Sequence, residues 1–138
     1  MSQDEVIRCT ADELAVRNII AKVSLYTDGG DVDSYVELFA KDAVWEMPGN
    51  QRTGHDEIRA GNVSGYAAGL LGPGTGSRHI VGTTAVDIQG DTATAESQWV
   101  FVSGGPGSPA ISAAGHYLDT FRRTSDGWKI TRRQLTLG

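Results

Sequence analysis

The sequence predicts an α+β fold in which helices come first and lie on one face of a strongly curved, mostly antiparallel sheet. Two patterns predict it. In the first part of the chain, Val16, Ile19, Ile20, Val23 and Tyr26 recur at three- and four-residue intervals, which makes one apolar stripe on a helix. From residue 79 onward the chain reads as long β segments, 79–88, 92–103, 110–124 and 128–137, divided by turn sequences. Helices followed by a run of strands is the α+β order. At 138 residues the whole chain, 1–138, is expected to form a single domain.

Each element has its own signal. Residues 1–9 read as a loose leader, and "TADE", Thr10 to Glu13, matches a capping box, so the first helix is expected to begin there. It should stop at Gly29-Gly30. Asp31 or Asp33 suits the N-cap of a second, short helix whose Tyr35, Val36, Leu38 and Phe39 supply the next buried face, before "KDAVWEM" becomes extended. A third helix is expected from about His55 to Leu71. The glycine-rich "GLLGPGTGS" lacks the trailing Lys-Ser/Thr of a phosphate loop and reads as a loop over a pocket. Between the strands, "QGD" and "SDG" are short turns with a glycine suited to positive φ, which predicts antiparallel hairpins, and "GGPGSP" is a longer hairpin loop.

Composition narrows the function classes. Hydrophobic residues at 39% and charged residues at 21% fit a soluble globular protein, and no apolar run approaches the ~20 residues of a membrane span. The acidic start "MSQDEVIRCT" does not resemble a secretory signal, so a cytoplasmic location is expected. A net charge of −5, with basic residues scattered apart from Arg122/Arg123 and Arg132/Arg133, argues against nucleic acid as a partner. The single cysteine, Cys9, and three isolated histidines give no metal-site spacing, so neither a metal nor another cofactor is expected.

Four stretches in order, "DGGDVDSYVELFAKDAVWE", "GHDEIRAG", "SRHIVGTTAVDIQGDTATAESQWVF" and "GHYLDTFRRTSDGWKITRR", span nearly all of the chain. In that order and spacing the sequence resembles the SnoaL-like group of the nuclear-transport-factor-2-like superfamily, with its polyketide cyclases, scytalone and bile-acid dehydratases and lindane dehydrochlorinase. The resemblance implies a conical, cystatin-like fold with the helices on the concave face of the sheet. The same fold hosts many activities, including non-catalytic binding modules. In the dehydratase and dehydrochlorinase branches an aspartate ending the first helix pairs with a histidine at the start of the strand after the third helix. Those positions fall on Asp28 and His79. Thr83 stands where asparagine is common in the family, and Val23 where the dehydratases carry a tyrosine.

Asp31 and Asp33 are explained by cap chemistry, which leaves Asp28 as the acidic residue without a local role. On an ideal helix it points well away from the centre of the apolar stripe, so it is expected to turn inward by loosening of the helix at Gly29-Gly30. A carboxylate on one ring nitrogen would fix the tautomer of His79 and leave the other nitrogen as a base. His116 lies mid-strand on the face of Leu118 and Thr120, opposite Tyr117 and Phe121, and is a third candidate acid. Tyr26, Trp45, Tyr66, Trp99, Phe101, Tyr117 and Phe121 are candidates to line an apolar pocket. Arg132 and Arg133 must face opposite ways, so one of them can enter the cavity or a dimer interface while the other is solvated; Arg132 is the substrate-binding candidate. These residues describe a cofactor-independent enzyme moving protons on a small hydrophobic substrate by elimination, isomerisation or aldol-type cyclisation. A binding module and an epoxide hydrolase built on Asp28, Arg132 and Asp119 are the alternatives. Apolar residues in both alternating sets of the first long strand, Val81 and Ala85 against Ile80, Val86 and Ile88, predict a homodimer through the outer sheet face.

Overall fold

Helix α1 begins a full two turns before the expected start. In a computed structural model describing residues Met1–Gly138, α1 runs Gln3–Gly29 with Ser2 as N-cap, its side chain accepting from the Glu5 backbone N–H at 3.1 Å. Residues 1–9 are therefore not a loose leader. "SQDE" matches the same capping pattern as "TADE" eight residues later, and the earlier match is the one used. Thr10 instead donates its hydroxyl to the Val6 carbonyl at 2.8 Å, inside the helix.

The stripe of α1 buries Val16, Ile19, Ile20 and Val23. The helix closes on Gly30, whose φ of 76° lies in the left-handed region that favours glycine. Asp31 then caps α2 (Val32–Glu37), accepting from Ser34 N–H at 3.1 Å. Strand β1 (Phe39–Met47) turns at Pro48-Gly49 into a short β2 (Asn50–Thr53), and α3 spans Gly54–Ala67. The long strands follow as β3 (Arg78–Gln89), β4 (Thr92–Ser103), β5 (Ala110–Thr124) and β6 (Gly127–Leu137).

The six strands form one sheet in the order β2-β1-β6-β5-β4-β3. All pairings are antiparallel except β1 with β6, where Trp45 lies beside Arg133. The expected α+β architecture is thus observed, with helices first and a mostly antiparallel, curved open sheet. Irregularities in register along β3–β4, β4–β5 and β5–β6 mark the sites where the strands bend.

One such break changes which residues share a face. Between Val81 and Thr84 the β3 register shifts, so Val81 packs with Val86 and Ile88 against the core, while Ile80 and Ala85 face out. Strict alternation had grouped Val81 with Ala85. The core itself joins α1 and α2 to the inner face of the sheet through Val16, Val36, Phe39, Ile58, Phe121 and Ile130, each no more than 1% exposed. Every such side chain contributes about 1.5–3 kcal/mol by burial. At one end of the sandwich, Arg123 reaches the Asp12 carboxylate through both amino groups, at 2.9 and 2.7 Å, and Trp128 Nε1 donates to the same carboxylate at 3.1 Å. This clamp closes the end away from the cavity. No helix is long and apolar enough to cross a membrane.

Candidate active site

The opposite end of the sandwich opens into a cavity of about 720 Å³, between α1, α3 and the inner face of the sheet. Of its 23 lining residues 14 are hydrophobic, so it suits a mostly apolar guest with a few fixed polar contacts. Val23, Ser24 and Thr27 from α1 form one wall. Trp99, Phe101 and Tyr117 from the sheet form another, and Leu70 and Leu71 of the glycine-rich loop contribute to a third.

Asp28 and His79 meet at this cavity. Asp28 Oδ1 lies 2.7 Å from His79 Nδ1, and Asp28 Oδ2 accepts the backbone N–H of His79 at 2.8 Å. A carboxylate only accepts, so in the neutral ring Nδ1 carries the hydrogen and Nε2 has the lone pair. Nε2 has no protein partner, and the imidazole leans on Phe101 with ring centroids 4.7 Å apart. Each side chain is 19% exposed. His79 lines the cavity while Asp28 stands behind it.

The helix does not loosen to achieve this. It remains α-helical through Gly29, and at ~100° per residue Asp28 lies on the same flank as Arg17 and Ser24. That flank is the one turned toward β3, as Arg17 shows by donating to the Thr84 carbonyl at 3.2 Å. The C-terminal end of a helix is unfavourable for a carboxylate, and the backbone N–H of His79 offsets part of that cost. Two contacts from α3 hold this end of α1: Asn62 Nδ2 donates to Thr27 Oγ1 at 3.3 Å, and the Tyr66 hydroxyl donates to the Thr27 carbonyl at 2.9 Å.

Across the cavity, Arg133 is fully buried and makes a two-point ion pair with Asp119, Nε to Oδ1 at 2.8 Å and Nη2 to Oδ2 at 2.9 Å. Burial opposes the charge on Arg133, but Asp119 overrides it and leaves the guanidinium pKa raised. Its Nη1 makes no hydrogen bond to the protein, and Arg133 lines the cavity. The guanidinium lies 3.7 Å from the centre of the Tyr117 ring. Burial pushes the Tyr117 phenol above its ordinary pKa, with Arg133 opposing, so it stays neutral. Tyr35, also in the wall, is raised by burial in the same way.

Several expected site residues lie elsewhere. Arg132 faces away from the cavity and pairs with Glu46; Arg133 is the inward member of the pair. Tyr26 packs against the core, and Phe121 is part of it, 1% exposed, so neither lines the cavity. Tyr66 braces Thr27 from outside the lining. His116 is exposed on the outer face beside Gln98, too far round the sheet to serve as an acid in the cavity. The epoxide-hydrolase arrangement is not formed either, since Asp28, Asp119 and Arg132 each engage a different partner. Trp45, Trp99, Phe101 and Tyr117 do line the cavity. Sequence reasoning missed Thr27, Tyr35, Arg52 and Asn62, and took Arg132 ahead of Arg133. A signal existed for Arg133: Tyr117-x-Asp119-x-Phe121 puts a carboxylate among inward aromatic positions, where it requires a cation.

The SnoaL-like domain profile matches residues 8–134. Among solved structures, a nuclear-transport-factor-2-like protein with a cystatin-like fold from Novosphingobium aromaticivorans superposes with a TM-score of 0.89 at 28% identity, covering 97% of this chain and 86% of that one. A candidate scytalone dehydratase from the same organism gives 0.79 at 20% identity, with 94% and 85% covered. ActVI-ORFA from Streptomyces coelicolor gives 0.76 at 19%, with 94% and 97% covered. No curated protein matches the sequence.

Proposed function

Because the chain belongs to the SnoaL-like domain family, we propose that it is a cofactor-independent acid–base enzyme acting on a small, ring-bearing hydrophobic substrate in the cytoplasm. His79 is the base and Asp28 its positioning partner. The observation that carries this reading is the His79 ring itself: Nδ1 is committed to Asp28, and the free Nε2 belongs to a residue lining an apolar cavity.

The chemistry follows from the placement. Nε2 removes a proton from a carbon made acidic by a neighbouring carbonyl, and Asp28 stabilises the imidazolium that forms. Electrons pushed toward the carbonyl oxygen need a donor, and Nη1 of Arg133 supplies one from a rigid, buried guanidinium. A base so placed contributes about 10²–10⁴-fold. The proton is then returned to another carbon, or a leaving group departs, which gives isomerisation or elimination from one site.

A homodimer through the outer sheet face is part of the proposal. Ile80 and Leu118 remain 47% and 42% exposed on that face, and a second copy would cover both. Sedimentation at micromolar concentration tests it, and a monomer would overturn it.

Deuterium incorporation tests the enzymatic reading without knowledge of the natural substrate. With 2-tetralone in D₂O, the protein should accelerate exchange at C1 over buffer, and His79→Gln should lower the excess rate at least ~10²-fold. Quenching of Trp45 and Trp99 fluorescence should show the ketone still bound. Binding with no excess exchange in the wild type would make the protein a binding module.

A further inference from the structure

Arg52 sits in the wall of the cavity with no carboxylate near it. It belongs to β2, and its cross-strand neighbour in β1 is Trp45, whose neighbour on the other side is Arg133 in β6. Cross-strand partners share a face of the sheet, so one inward row reads Arg52, Trp45, Arg133, Asp119. All three of the first residues line the cavity. The row holds two guanidiniums and one carboxylate, and Asp119 gives both of its oxygens to Arg133.

The position of Arg52 is built. Its guanidinium carbon lies 4.1 Å from the centre of the Trp45 ring, which orients the fork by stacking. On its other side is Gly61 of α3, where an added Cβ would fall 2.1 Å from Nη1 and 2.2 Å from Cζ. Only glycine there leaves room for the side chain to lie flat against the helix. Yet the guanidinium makes no hydrogen bond or ion pair, and burial lowers its pKa with only the Tyr35 phenol opposing and no carboxylate compensating. Arginine keeps its charge regardless. An uncompensated, half-buried cation costs stability unless a ligand completes it.

We propose that Arg52 binds a carboxylate carried by the substrate, so that the cavity selects ring-bearing hydrophobic acids over neutral compounds of the same shape. This deepens the preceding reading and rests on the cavity as the substrate site. Trp45 offers an apolar plate for the ring system, and the planar fork matches a carboxylate at two points. Binding to Arg52 puts the acid group on the β1–β2 side and leaves the ring system to extend past Trp45 toward the sheet residues that carry His79 and Phe101.

The test compares 2-naphthoate with its neutral isostere 2-naphthamide, by tryptophan quenching and by calorimetry. The wild type should bind the acid at least ~10-fold more tightly than the amide, the scale of a charge-assisted hydrogen bond. Arg52→Gln should bring the two affinities within about twofold of each other while amide binding persists, and Arg52→Lys should keep part of the preference. Gly61→Ala is the independent arm, because alanine is favoured within a helix and its methyl displaces the guanidinium without removing it; it too should erase the preference. Equal wild-type affinity for acid and amide, or a preference that survives both Arg52→Gln and Gly61→Ala, overturns the proposal. His79→Gln should keep the acid preference. A wild type that shows the acid preference but no excess deuterium exchange would count against the enzymatic reading alone, and one that exchanges without the preference against the carboxylate site alone.

Discussion

Removing the Asp119 carboxylate should be among the most damaging single changes in this protein. Its two oxygens are the only hydrogen-bond partners of a guanidinium whose side chain is 2% exposed, and Asp119 itself is 0% exposed. Asp119→Ala leaves a buried, unpaired charge, at a cost of about 3–5 kcal/mol. The Tyr117 ring 3.7 Å from the guanidinium recovers no more than ~2 kcal/mol of attraction, and it is present before and after the change. With a urea dependence of about 2 kcal/mol per molar, the unfolding midpoint should fall by roughly 2 M. The paired change Asp119→Leu with Arg133→Met removes both charges and should cost much less than Asp119→Ala alone. Equilibrium urea unfolding followed by circular dichroism measures all of these. A midpoint shift below about 0.5 M for Asp119→Ala would refute the reasoning, as would a double mutant no better than the single.

Two further effects follow from groups outside the catalytic pair. The Arg123 hydrogen bonds hold the Asp12 pKa below the usual carboxylate range, with burial opposing and Trp128 assisting. A depressed folded-state pKa gives stability that is present above the unfolded value of about 4 and lost as pH falls through the folded value. Between neutral pH and about pH 3 the wild type should therefore lose more stability than Asp12→Asn, read from urea midpoints across pH; parallel curves would contradict it. The Ser24 hydroxyl is buried without a hydrogen-bond partner, so Ser24→Ala should be neutral or stabilising by about 1 kcal/mol in the same assay.

The order of elements, apart from the short β2, was legible because it depends on local periodicity; the limits of the four long strands came within one residue of those observed, while α3 stops at Ala67, four residues before the expected Leu71. What was illegible depended on choices between equal local options. "SQDE" and "TADE" are both capping boxes, and the turns between them expose Val6 and Ile7, so no apolar stripe marked the helix as starting earlier. Arg132 and Arg133 were known to face opposite ways, but alternation from the buried Trp128 and Ile130 favours Arg132; a bulge in β6, where Phe121 pairs with Ile130 and the adjacent Thr120 with Arg132, turns Arg133 inward instead. The pairing of Asp28 with His79 was expected from family resemblance; helical periodicity alone pointed the other way. The wheel was correct about the direction of Asp28 and silent about β3, which lies along that flank.

The central claim is that Asp28 holds His79 with its Nε2 lone pair available to the cavity. Nitrogen-15 NMR of the imidazole, assigned by loss of the signals in His79→Gln, tests it without any substrate. The neutral ring of the wild type should be the Nδ1–H tautomer, with that proton strongly deshielded by the Asp28 carboxylate. Asp28→Asn should lose the deshielded proton and let the tautomers mix. An Nε2–H tautomer in the wild type, or a ring indifferent to Asp28→Asn, would contradict the account.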